Sequence, residues 1–440
     1  AREILDKGAE SIGDELQNQP EVQATLQGTM GRVYQGLGLY ESAGPLLEQA
    51  LATRVALHGN EHEDVATSRF DWGSLLTEQG AYDEAEPIVR EALATRRALL
   101  GENHAETLRT QTKLAEVLRF RGEYGAAGDL ARATLAVQRE VLGRDHEDVL
   151  LTQNILGGVL LLSGQFQAAE TELRDLLERR RRVLGEDHPH TLKTAINLGV
   201  VYYYQGDFSG FERMGRETLA IQRRVLGDEH HDTLRSLNNL ALALTYQDKF
   251  VEAEMLYRET LQTLQGKLGP EHLDTVRAMA NLADVLRRQE NFPEAEDVIR
   301  EAIDIQTRTV GTDHLDTQIS QGTLGQILVG QGRYSAAERT LLDSIAALGR
   351  AFDAHHPLRI EYLRDMAFVY RRQGREKDAE AIYRDAVTVW RDQPEVEREH
   401  LAPLLEGYAA FLREVGRDTE AEVVSTLLTG TGTEARAAGS

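Results

Sequence analysis

Histidine returns every 42 residues through most of this chain: His62, His104, His146, His188, His230, His272, His314 and His356 stand on one step. An aromatic ladder keeps the same step through Tyr40, Tyr82, Tyr124, Phe166, Phe208, Phe250, Phe292 and Tyr334. Three residues further on, Ala43, Ala85, Ala127, Ala169, Ala253, Ala295, Ala337, Ala379 and Ala421 form a third, interrupted only by Phe211. A register that holds this long marks a stack of like units, each packed on its neighbours. A chain of 440 residues ordinarily suggests two or three domains. The unbroken period predicts one elongated domain over 19–428 instead.

Within 185–226 the apolar residues Leu192, Ile196, Leu198, Tyr202, Phe208, Phe211, Leu219 and Val225 fall at helical spacings. They predict two helices, roughly 191–205 and 209–225. The break between them carries Gly206, repeated as Gly38, Gly80, Gly122, Gly164, Gly332, Gly374 and Gly416. Glycine there allows the positive φ of a helix C-cap. Asp248 and Glu290 replace it in two copies, which predicts a differently satisfied turn at those places. A second glycine column, Gly59 through Gly311, ends the second helix. Pairs such as Asp232-Thr233 and Asp274-Thr275 read as N-cap chemistry for the next first helix.

A single short hairpin cannot bury its own apolar stripe, whereas stacked hairpins can. Small residues at Gly199, Ala241, Ala283 and Gly325 let neighbouring helices approach closely. Leu-Gly/Ala, then Tyr, then Gly-x-Tyr/Phe-x-x-Ala resembles the tetratricopeptide pattern, with the link between repeats lengthened. The loop Leu-Gly-x-x-His-x-x-Thr is similar to that of kinesin light chains and of many bacterial signalling proteins. The resemblance covers about 20–425. It implies an all-α fold, a right-handed α-solenoid of about ten tetratricopeptide hairpins, the last two degenerate, with Glu376 and Asp418 at the aromatic place.

Residues 1–18 predict an amphipathic capping helix, and 429–440, without apolar period, a disordered tail. The opening Ala-Arg-Glu-Ile-Leu-Asp-Lys-Gly-Ala resembles the start of tetratricopeptide tails on bacterial Ser/Thr kinases, yet no kinase motif follows. The missing initial Met fits either processing or a piece of a longer protein. No basic-then-apolar leader and no long apolar run stands in the sequence, so a membrane partner is not expected. Zero cysteines rule out thiol chemistry and fit a reducing compartment, hence a cytoplasmic protein. A net charge of −23 argues against nucleic acid as partner.

The histidine ladder looks like metal ligands but spreads one residue per repeat, whereas a metal needs convergence on one point. Its plain reading is that each imidazole orders the loop before a helix. His188 and His190 beside His230 and His231 are the one local concentration. No zincin, nucleophile-elbow or phosphate-loop motif is present, so neither catalysis nor a cofactor is expected.

Positions that vary between repeats carry more. On a first helix, residues 193, 197, 200 and 204 form a stripe. The tetratricopeptide resemblance places it on a concave groove. Its columns contain Arg109, Leu151, Lys193, Arg235 and Arg277; Lys113, Ile155, Asn197, Asn239 and Asn281; and Tyr204, Tyr246 and Arg288, with Arg119 and Arg287 beside the last. This pattern of cations, amides and aromatics on an acidic chain predicts a groove for an acidic or carboxylate-ended peptide, as the resemblance also implies. Leu151 and Ile155 read either as an anchor pocket or as packing. The leading reading is a non-catalytic interaction scaffold. The alternatives are the sensory arm of a larger bacterial kinase or signalling ATPase and, remotely, a metal-dependent enzyme.

Overall fold

The computed structural model describes residues 18–351, 356–392 and 401–428, with isolated positions 6, 12 and 16 before them. The helix expected over 1–18 lies almost wholly outside these residues, and the tail 429–440 entirely.

The chain divides into two compact units, Ala1–Gly227 and Asp228–Ser440. The first holds five helical hairpins: α1 (Pro20–Gly36) with α2 (Tyr40–His58), α3 (Glu63–Glu78) with α4 (Tyr82–Leu100), α5 (Ala105–Phe120) with α6 (Tyr124–Val141), α7 (Glu147–Leu162) with α8 (Phe166–Val183), and α9 (Pro189–Tyr204) with α10 (Phe208–Leu226). The second holds α11 (His231–Thr245) with α12 (Phe250–Leu268), α13 (Leu273–Arg288) with α14 (Phe292–Thr309), α15 (Leu315–Gly330) with α16 (Tyr334–Ala351), α17 (Pro357–Arg372) with α18 (Glu376–Asp392), and α19 (Ala402–Glu414) with α20 (Asp418–Leu428). Among the described residues there is no strand, and no helix is long and apolar enough to cross a membrane. Within each unit, a second helix packs on its own first helix and on the next one.

Each hairpin turn is made alike. Gly206 sits at φ 73°, its N–H donating to the Tyr203 carbonyl at 3.1 Å and that of Asp207 to Tyr202 at 2.9 Å. The expectation of a different turn at the two exceptions was wrong. Asp248 and Glu290 take the same positive φ, 57° and 61°, and Asn291 N–H reaches the Leu286 carbonyl at 2.9 Å. The closing bonds are worth enough to hold a side chain in the left-handed region.

The loops between repeats correct the N-cap assignment. The cap is the histidine: Nδ1 of His62, His104, His146, His188, His230, His272 and His314 accepts the backbone N–H two residues on, at 3.2–3.3 Å. The threonine that follows works backwards. Thr191, Thr275 and Thr317 donate to the carbonyls of Gly185, Gly269 and Gly311 at 2.8–2.9 Å, tying each loop to the helix it has just left. An acidic residue beside the histidine then faces the positive end of the helix.

Close approach explains the small-residue column. A methyl group added to Gly157 would stand 2.5 Å from Leu173, and one on Gly325 2.7 Å from Leu341. In the repeat that breaks the alanine ladder, the partner place is Gly215, and Phe211 fills the vacated space against Gly199. Small and large have exchanged places while the packed volume is kept.

Another column escaped the sequence reading. Arg54, Arg96 and Arg180 on α2, α4 and α8 are 9%, 2% and 4% exposed. Each donates to a hydroxyl of the next first helix: Ser68 at 2.9 Å, Thr110 at 2.8 Å and Thr194 at 2.6 Å. Arg180 also reaches the carbonyls of His190 at 3.0 Å and Leu150 at 3.3 Å. Burial pushes its guanidinium down to about 10, still charged at neutral pH.

Candidate functional site

The stripe expected to line a groove is far less free than the sequence implied. Arg109 is forked onto Asp148 of the next first helix, at 3.2 and 3.1 Å. Lys113 is paired with Glu116 at 2.6 Å. Arg119 lies 4.1 Å over the Phe120 ring, and burial lowers its pKa. Arg287 and Arg288 grip Asp284 at 2.6 and 2.9 Å, with Glu361 at 3.7 and 3.9 Å. Burial pushes the Asp284 carboxyl up, but the two guanidiniums outweigh it and hold the group below the usual carboxylate range. Arg109, Arg287 and Arg288 reach acids on another helix, whereas Lys113 and Arg119 are held by neighbours on their own. They offer little to a ligand.

The aromatics are also engaged. Tyr204 stacks on Phe166 with centroids 5.3 Å apart, and Arg288 lies 5.6 Å over Tyr246. Ile155 is only 3% exposed and belongs to the packing between helices, whereas Leu151 remains exposed. Lys193 is exposed and Asn197 half-buried on α9, in the first unit.

What the second unit brings together is a pocket of about 460 Å³ on α11, α13 and α15. Arg235, Asn238, Arg277 and Asn281 line it, with Asp274 and Asp316. Leu234, Leu264, Ala278 and Ile319 make its apolar part. Gln306, 3% exposed, enters from α14, and its Oε1 has no hydrogen-bond partner. Helix spacing puts 235 and 238, and 277 and 281, one turn apart on the same faces. The Asn281 side-chain amide donates to Asn238 Oδ1 at 2.7 Å. Arg277 meets Asp316 at 3.2 Å and Asp274 at 3.8 Å, and Arg235 meets Asp232 at 3.2 Å. Both arginines stay largely open to water, at 46% and 59%.

Of the expected residues, Arg235, Arg277 and Asn281 therefore converge. Asn239 does not line the pocket; its neighbour Asn238 does. The amide contact runs over 43 residues, one more than the period, so a comparison at equal phase selects the wrong member of the Asn238-Asn239 pair. This geometry suits recognition: amides with a donor and an acceptor each, exposed cations, and an apolar floor.

A family model for the tetratricopeptide repeat matches residues 22–98, 71–140, 106–178, 148–209, 212–266, 238–308, 274–350 and 316–392. The chain belongs to the tetratricopeptide repeat family. A second model of the same repeat matches 191–232. This tetratricopeptide repeat protein finds no match among curated proteins. Among solved structures it is similar to the apo form of the quorum sensor NprR from B. thuringiensis, with 12% identity, a TM-score of 0.57, and 83% of this chain and 97% of that one covered. NprR in complex with its cognate peptide NprX gives 15% identity and a TM-score of 0.50 over 74% and 98%. A Podosopora anserina protein assigned as a kinesin light chain, built of nearly identical repeats, gives 25% identity and a TM-score of 0.44 over 46% and 96%.

Proposed function

We propose that this tetratricopeptide repeat protein is a non-catalytic interaction scaffold, working in the cytoplasm, that holds a carboxylate-bearing peptide segment of a partner in the pocket on α11, α13 and α15. The observation that carries this reading is the convergence of Arg235 and Arg277 with the Asn238–Asn281 amide pair over an apolar floor. The amides can hold an extended peptide backbone by donor and acceptor together. A peptide carboxylate takes Arg277 from Asp316, or Arg235 from Asp232, so each gain is an exchange between two acids rather than a new pair. That sets each contact at the lower end of hydrogen bonds to charged groups, about 1.5 kcal/mol, or roughly tenfold in affinity. NprR, a protein of this fold, takes a cognate peptide.

The test is selection of a random displayed peptide library on the full chain, followed by titration of the enriched peptides at two salt concentrations. Enriched sequences should carry Asp, Glu or a free C-terminus, and bind more weakly at high salt. Arg235→Glu and Asn281→Ala should each lose roughly tenfold, and Arg213→Glu, exposed on α10, almost nothing. Enrichment of basic sequences, or equal losses in the α10 control, would remove both the pocket and the acid preference from consideration.

A further inference from the structure

One cluster in the first unit has no counterpart along the ladder. Position 58, the last residue of α2, is histidine, where the other repeats carry Leu100, Leu142, Leu184, Leu226, Leu268 and Val310. The His58 imidazole stacks on the N-cap imidazole of His62, with centroids 4.1 Å apart and planes within 14°. Its Nε2 is buried without a hydrogen bond and lies 3.4 Å from the Glu21 carboxylate in the first turn of α1. His62 Nδ1 lies 3.4 Å from the Asp64 carboxylate. One ligand atom each from His58, His62 and Asp64 falls within 4.8 Å of the others, the one such group among the described residues. It is not the group of His188, His190, His230 and His231 that the sequence singled out.

We propose that these residues form a site for one Zn²⁺ ion, with His58, His62 and Asp64 as ligands and Glu21 as the fourth. Zinc bonds to nitrogen and oxygen are about 2.0–2.2 Å long, so the edges of its tetrahedron are roughly 3.3–3.6 Å. The two imidazole–carboxylate pairs already stand at that separation. Closing His58, His62 and Asp64, now within 4.8 Å of one another, around one ion requires shifts of roughly 1 Å and a tilt of the two rings out of their stack, and His62 Nδ1 exchanges the Asp64 N–H for the metal. Two imidazoles with two carboxylates select zinc and its transition-metal neighbours over calcium or magnesium, which take oxygen shells. His146–Asp148 and His272–Asp274 repeat one pair at 3.6 and 3.7 Å without a second imidazole, and serve as internal controls. A bound ion would tie α1 to the loop between α2 and α3 and so fasten the first hairpin.

The experiment uses the full chain without a histidine tag, stripped with chelator and titrated with ZnCl₂ by calorimetry alongside thermal melts. One ion per chain and a zinc-dependent rise in Tm are expected. Both should fade at acid pH, where protons compete with the metal for its ligands. His58→Leu restores the residue common to the other repeats, so it should fold, and its zinc affinity should fall roughly tenfold or more. His188→Ala should bind zinc as the parent does. Absence of a zinc-dependent shift overturns the proposal. Equal weakening in His58→Leu and His188→Ala overturns it too, because it would mark diffuse binding along the ladder.

Discussion

Replacing Glu290 by glycine should make the protein more stable, although it removes a side chain and a charge. Glu290 holds φ 61° at a turn where eight other repeats have glycine. A left-handed conformation costs a side-chain-bearing residue about 1–2 kcal/mol. Glycine relieves that cost but gains freedom in the unfolded chain, returning about 0.4–1 kcal/mol. The net gain is about 0.5–1 kcal/mol, or roughly 1–4 °C in Tm for a unit of this size. Urea unfolding should show the midpoint rising with an unchanged slope, since no buried surface changes. Because the chain is strongly acidic, Glu290→Gln is the necessary companion: it removes the charge and keeps the strain. Asp248→Gly should gain less, because aspartate tolerates the left-handed region better than glutamate. If Glu290→Gln stabilises as much as Glu290→Gly, the effect is electrostatic and the argument from φ fails.

Three further outcomes follow from the stitching between helices. Burial alone would raise the Glu296 carboxyl, but hydrogen bonds from Gln331, Arg300 and Arg333 outweigh it and pull the pKa down to about 2. With an unfolded value of about 4.3, its contribution, reduced by solvent screening, is complete above that pH and lost as the pH falls through 2. Acid titration of stability should therefore be flatter in Glu296→Gln. Arg180→Ala strips donors from Thr194 and from the carbonyls of His190 and Leu150 and should cost about 2–4 kcal/mol by urea unfolding, whereas Arg109→Ala, on the wetter face, should cost under ~2 kcal/mol. His188→Ala removes one N-cap and should cost about 0.5–2 kcal/mol in the same assay.

The hairpins, their turns and the small-residue contacts were legible because each depends on residues compared at equal phase along the period. What connects one repeat to the next was not. Arg109 meets Asp148 and Arg277 meets Asp316 across 39 residues, so a column of arginines looked cationic while its neutralising acids stood in another column. The buried column at Arg54, Arg96 and Arg180 was hidden for a similar reason. On α8 the buried Arg180 stands in the run Arg179–Arg182, two residues from Arg182, which faces water, and only the fold tells them apart. Seven histidines of the ladder cap helices through Nδ1. The stacked pair at its first step depended on His58, which lies outside the ladder.

The turn glutamines show what fixed offsets mean for the gene. Gln205, Gln289, Gln331 and Gln373 each donate to a glutamate 35 residues earlier, Glu170, Glu254, Glu296 and Glu338. Arg333 and Arg375 reach Glu296 and Glu338 over 37 residues. Excision of residues 297–338, one period, would present Gln373 and Arg375 to Glu296 in the places left by Gln331 and Arg333. A recombination event between neighbouring copies thus deletes or adds a repeat without leaving these acids unmatched. The number of repeats can drift while the chemistry of the junction stays the same, and the length of such a chain is free to follow the size of whatever it holds.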